Sequence, residues 1–181
     1  MPQDTLPFSH AVRRDEVPEG GLDLELVPSA AQRQALATFL SVPAVESLKA
    51  SLHVTRHGKA GLRVRGHVAG EVVQTCVVTL EPVSEPIDEA IDTIYAPEGS
   101  PVLHVELTPE ELASEESDLE PMVGGSIDVG GLVIEHVAIG LSPYPRKAGV
   151  EFEAVAEAGD EPKEPSPFSS LARLKDGETR E

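Results

Sequence analysis

Two runs of alternating apolar and polar residues around one short turn constrain the fold more than any other feature. In the first run Leu48, Ala50, Leu52 and Val54 alternate with Lys49, Ser51, His53 and Thr55. In the second, Leu62, Val64, Gly66 and Val68 alternate with Arg63, Arg65 and His67. Successive side chains on a strand point to opposite faces, so a period of two marks strands buried on one face only. His57-Gly58-Lys59-Ala60-Gly61 lies between the runs as a turn, and the whole predicts a β-hairpin. Its outward face collects Lys49, His53, Arg63, Arg65 and His67, with Arg56 and Lys59 near the tip. Residues 68–82, VAGEVVQTCVVTLEP, are the longest strand-like apolar stretch and read as the central strand of the sheet. On that reading Cys76, the only cysteine, is a small buried core residue, and Gly70 marks a bulge or bend.

The hairpin also stands at a boundary in charge. After Arg65 there is no lysine or arginine until Arg146, and sixteen acidic residues fall between. The formal net charge is −18, which opposes contact with DNA or an anionic membrane, because phosphate binding depends on cations displacing counterions. Any RNA contact must be local or pass through a basic protein partner. The local candidates are Arg56, Lys59, Arg63 and Arg65 on the hairpin and Arg146 and Lys147 in a later loop. The same basic face also reads as an ordinary solvated sheet surface. Only 3% of residues are aromatic and none is Trp, which counts against binding single strands by base stacking.

One cysteine excludes an internal disulfide. No apolar run approaches twenty residues, and residues 1–17 lack the long apolar stretch of a secretory signal. The expectation is a reduced, cytoplasmic protein.

Taken in order, residues 6–12 read as a short strand or arm, and Leu22, Leu24 and Leu26 as alternate positions of a half-buried strand. Ser29 with Gln32 three residues on is a capping-box pattern. It predicts a helix of about three turns packed through Leu36, Phe39 and Leu40, with Ala35 beside them, and stopped by Pro43. Pro82 and Pro86 break the run after Cys76; residues 83–94 fit a helical stripe or a strand, and their isoleucine content favours a strand. Residues 102–107 read as another strand. Thr108-Pro109-Glu110-Glu111 reads as a helix start, and 112–120 as one or two helical turns within a mobile acidic loop. Asp128 caps a helix running to about Leu141, with Leu132, Val133, His136, Val137 and Leu141 inward. Residues 157–181 are tail-like, although Phe168, Leu171 and Leu174 recur at a spacing that lines one face of a short helix, for docking on a partner or folding back. The fold class expected is α+β: a mostly antiparallel sheet, two packed helices, a mobile acidic loop and a flexible C-terminal tail, with the domain ending near residue 156.

The motifs of catalysis are absent from the sequence: there is no Walker phosphate loop, no Gly-x-Gly-x-x-Gly fingerprint and no Gly-x-Ser-x-Gly elbow. His53 and His57 lie four apart across a strand and turn, not a helix, so zinc geometry is not implied. No enzyme activity, cofactor or metal is expected.

Three segments together resemble a known family. Gly66-His67-Val68 through Cys76-Val77-Val78-Thr79-Leu80-Glu81-Pro82 resembles the strand–Cys–x–x–[Cys/Thr]–Leu–[Glu/Asp]–Pro signature of the YceD family, the large ribosomal RNA subunit accumulation proteins. Ile127-Asp128-Val129-Gly130 with Glu135 resembles that family's helix start, and Leu141-Ser142-Pro143-Tyr144-Pro145-Arg146 its Leu–x–Pro–x–Pro segment. The similarity covers about residues 6–153, and residues 166–175 resemble the ending of some members. The resemblance implies a cytoplasmic, non-enzymatic factor for synthesis or accumulation of 23S rRNA, with Cys76, Asp128, Glu135 and Pro143 as signature residues of structural role. Its partners would be ribosomal RNA or ribosome-assembly proteins. Some members carry a second cysteine where this chain has Thr79, which suggests a metal site in them and packing alone for Cys76 here.

Overall fold

The computed structural model describes residues 6–100 and 118–150. The expected strand at 102–107, the helix start at 108–111, the acidic turns up to residue 117 and the tail with Phe168, Leu171 and Leu174 lie outside the described residues, as does the expected domain boundary.

The alternating runs form the two long strands β3 (Ala44–His57) and β4 (Gly61–Thr75), paired antiparallel in a register that places His57 opposite Gly61. β2 (Leu22–Leu26) adds antiparallel to β3, and β5 (Pro82–Pro97) adds antiparallel to β4. β6 (Asp118–Met122) closes the order β2-β3-β4-β5-β6 and runs parallel to the end of β5. Two helices complete the α+β fold among the described residues, α1 (Ala30–Phe39) and α2 (Val129–Ile139).

The inner face is the one the alternation predicts. Leu48, Ala50, Leu52 and Val54 of β3, Leu62, Val64, Val68 and Val72 of β4, and Ile87, Ile91 and Tyr95 of β5 are all buried. Val129, Leu132, Val133, Ile134 and Val137 of α2 join the same core. Burying an aliphatic side chain of this size contributes about 1.5–3 kcal/mol, so this aliphatic layer is the main source of stability. Gly66 lies opposite Leu52, where an added Cβ would come 2.9 Å from the Leu52 side chain and 2.2 Å from the Ser51 carbonyl oxygen.

Local capping chemistry sets both helices. Ser29 Oγ accepts from Gln32 N–H at 3.3 Å while Gln32 Oε1 accepts from Ser29 N–H at 2.8 Å, the reciprocal box expected. The buried residues of α1 are Leu36 and Ala37, however, whereas Ala35 and Phe39 face outward. Asp128 caps α2: its Oδ1 accepts from Gly130 N–H at 3.0 Å and from His10 N–H at 2.8 Å. It thereby ties the N-terminal arm to the helix, and β1 (Ala11–Arg13) pairs with β7 (Ser126–Asp128) beside it. The arm passes so close that a Cβ on Gly130 would meet His10 N at 2.8 Å and Ser9 Cα at 2.9 Å. The Asp-x-Gly of the helix start thus has a physical reason: one residue grips the arm and the other makes room for it.

Four expectations are corrected. Of the short strand or arm expected over 6–12, only the end is strand, at Ala11–Arg13. The central strand ends at Thr75, so Cys76 stands in a turn and not in a strand. Pro82 and Pro86 do not break β5 but belong to it; the outer edge of this part of β5 has no strand partner among the described residues, so a missing N–H costs no ladder bond. Asp118 to Glu120, expected in the acidic loop, begin β6.

Candidate functional site

The outer face of the sheet carries the basic residues that alternation assigns to it, but each faces a carboxylate from a neighbouring strand. Asp23, His53, Arg65 and Asp92 occupy one transverse row across β2, β3, β4 and β5. Asp92 takes a two-pronged contact from Arg63, Nε to Oδ1 and Nη2 to Oδ2 at 2.7 Å each, and a third from Arg65 Nε at 3.2 Å. This hydrogen-bonded carboxylate holds the Arg63 guanidinium above its ordinary pKa. Lys49 pairs with Glu25 at 2.8 Å, His53 with Asp23 at 2.6 Å, and His67 with Asp88. The face expected to be a basic patch is a lattice of alternating sign. Arg63 and Arg65 are brought together, on one shared acid.

The tip is different. Arg56 and Lys59 are exposed, and among the described residues neither has a carboxylate partner. Arg14 joins them from the N-terminal arm, its Nη2 donating to the Lys59 carbonyl at 2.8 Å, and it too has no ion-pair partner there. Its Nε is buried without a hydrogen-bond acceptor. Beside the tip is a cleft of about 510 Å³ lined by His57, Lys59, Ile94, Tyr95, Ser100 and Leu119. Burial, with Glu135 and Glu120 nearby, raises the Tyr95 phenol far above its ordinary pKa, so it stays protonated. Arg14 is absent from the sequence-based candidates; its adjacency to the tip depends on the β1–β7 pairing, for which the sequence has no local signal.

At the opposite end of the same strands the two loop motifs interlock. Cys76 N–H donates to the Glu81 carbonyl at 2.8 Å, and Val77 N–H donates to the Pro145 carbonyl at 3.0 Å. The fully buried Cys76 Sγ accepts from the N–H groups of Thr79 and Lys147, both at 3.5 Å. Gln74 exchanges two hydrogen bonds with Ser142: Nε2 to its carbonyl at 3.0 Å, and Ser142 N–H to Oε1 at 3.1 Å. Lys147 Nζ closes the join on Glu81 at 2.8 Å, which holds that carboxyl below its ordinary range.

Cys76 is therefore more than filler. Bonding from the Thr79 side chain, then from the N–H groups of Lys147, Thr79 and Val78, lowers its thiol to about 6, with burial opposing. With no exposed surface the sulfur is not placed to attack a substrate; it organises two loops. Of the other signature residues, Asp128 is the cap described above. Glu135 is exposed on α2, with its carboxyl raised by partial desolvation and then by Glu120. Pro143 is exposed, whereas Pro145 is buried and supplies the carbonyl that receives Val77. The role of Gln74, and the bond that Pro145 makes, have no local signal in the sequence because their partners lie about seventy residues away.

Among the described residues no group of three or more His, Cys, Asp or Glu is placed to hold a metal ion, and no helix is long and apolar enough to cross a membrane. A five-stranded sheet that is antiparallel but for β6, a helix-capping aspartate that ties the N-terminal arm to α2, and two interlocked loops at one end of the strands define the class of this molecule. The family model described as large ribosomal RNA subunit accumulation protein YceD matches residues 64–175, more than half the chain and including both loops and the Asp128 cap. The chain belongs to that family. No curated protein and no solved structure matches it.

Proposed function

We propose that this protein is a non-enzymatic, cytoplasmic ribosome-biogenesis factor that promotes accumulation of 23S rRNA by binding RNA or an assembly partner. The observation that carries the RNA contact is the hairpin tip, where Arg14, Arg56 and Lys59 have no carboxylate partner among the described residues. Cations already paired with protein carboxylates have little charge left to offer a phosphate; these three keep theirs. Membership of the large ribosomal RNA subunit accumulation family supports the large-subunit direction of the effect. The contact is local by necessity, since the remaining surface of a chain with net charge −18 repels nucleic acid.

The test is depletion and complementation. Loss of the protein lowers the ratio of 23S to 16S rRNA, the full-length chain restores it, and a chain carrying Arg56→Glu with Lys59→Glu does not. An unchanged ratio on depletion removes the role in rRNA; full rescue by the charge-reversed chain removes the tip. A second reading, an adaptor that docks on a metabolic enzyme, such as one of lipid synthesis, and affects rRNA indirectly, is favoured by the exposed apolar side chains of Val77, Leu80 and Tyr144 on the two interlocked loops.

A further inference from the structure

The two interlocked loops present large apolar side chains to solvent where the fold has no use for them. Leu80 is 76% exposed, Tyr144 73% and Val77 47%. Leu80 also has a positive φ of 60°, a conformation that favours glycine and carries a steric cost for a branched side chain. A residue that is strained and barely buried contributes little to its own fold. Tyr144 lies between two prolines, Pro143 and Pro145, in a segment fixed by Ser142 on Gln74 and by Pro145 on Val77. The surface is thus held rigid before anything binds, which cuts the ordering cost of association.

Charge distinguishes the occupant. Two cations stand at this end: Lys147 is held by Glu81, while Arg146 is exposed with no ion-pair partner among the described residues. A tyrosine and an arginine beside exposed aliphatics match the composition of interface hot spots. RNA fits less well, because one free cation neutralises one phosphate and neither Leu80 nor Val77 is a stacking platform.

From this we infer that the loop end is a docking surface for a protein partner: a short apolar segment that covers Val77, Leu80 and Tyr144 and places a carboxylate on Arg146. The area is small, so the contact belongs to the weak and transient class. It rests on observations separate from the hairpin tip and stands or falls apart from RNA binding.

The experiment uses the full-length chain in cells, with a benzoylphenylalanine photocrosslinker in place of Tyr144 or of Leu80. Both positions are expected to capture the same protein, through a peptide that is apolar and contains Asp or Glu. With the crosslinker at Tyr144, Arg146→Glu lowers the yield about tenfold, and Leu80→Gly does the same while leaving the thermal midpoint unchanged or raised. Capture of nucleic acid alone, of a second copy of this chain, or of nothing overturns the inference. So does a captured partner whose yield is indifferent to both Arg146→Glu and Leu80→Gly.

Discussion

The hairpin tip and the loop end terminate the same strands and solve opposite problems. At the tip, β3 and β4 are joined by three residues between His57 and Gly61, and the local charges are left without carboxylate partners among the described residues. At the loop end, long connections are stitched together by a thiol, an amide side chain and an ion pair, and apolar groups are left exposed. Between them lies a sheet face on which every basic side chain named above has an acid in reach. The contrast separates two things that both look like binding residues in a sequence: cations that the fold has already paired and cations that it has not.

The largest structural effect is expected at the loop end. Gln74→Ala leaves the N–H and carbonyl of Ser142 without their partner in a half-buried site, and removal of that kind costs about 1–3 kcal/mol. Urea denaturation measures the loss. The paired change Arg56→Ala with Lys59→Ala at the tip stays within about 0.5 kcal/mol, as for exposed residues with no structural bond. Equal losses at the two ends would erase the distinction.

Cys76→Ala sharpens the same comparison through pH. The thiol falls from an ordinary 9.0 to about 6 in the fold, so the folded chain binds the proton less tightly than the unfolded one. The stabilisation is therefore complete above pH 9, declines as pH falls from 9 to 6, and is absent below about 6. Denaturation of the native chain and of Cys76→Ala from pH 5.5 to 9.5 should give curves that diverge as pH rises. Parallel curves would mean that the sulfur is an apolar filler after all.

A smaller effect on stability is expected for Leu80→Gly. Relief of the positive φ is worth about 1–2 kcal/mol, and the greater freedom of glycine in the unfolded chain returns about 0.5–1 kcal/mol of it. Calorimetry should show a midpoint unchanged or slightly higher; a clear fall would mean that the Leu80 side chain packs usefully in the native protein.

How much of this was readable in the sequence depends on the range of the interaction. The hairpin, the Ser29 box and the Asp128 cap rest on residues within a few positions of one another, and the structure has all three. The pairing of Arg63 and Arg65 with Asp92 was not readable, because it needs the register of β4 on β5 and not only the existence of each strand. Cys76-Val77-Val78 looked like strand because β-branched residues favour strands, and the turn there has no Gly or Pro to announce it; Leu80 occupies the position a glycine would have marked. β6 is hidden by its acids and Pro121, and among the described residues it pairs with the last five residues of β5, more than twenty positions earlier.

The most direct test of the central claim is the salt dependence of binding to 23S rRNA fragments by the full-length chain. Three available cations predict a slope of log affinity against log salt of about −2, from roughly −0.7 per phosphate contact on single strands. Arg56→Ala with Lys59→Ala should reduce that slope to about −0.7, whereas Arg63→Ala with Arg65→Ala should leave it unchanged. A slope that collapses with Arg63 and Arg65 and survives the loss of Arg56 and Lys59 would contradict the account.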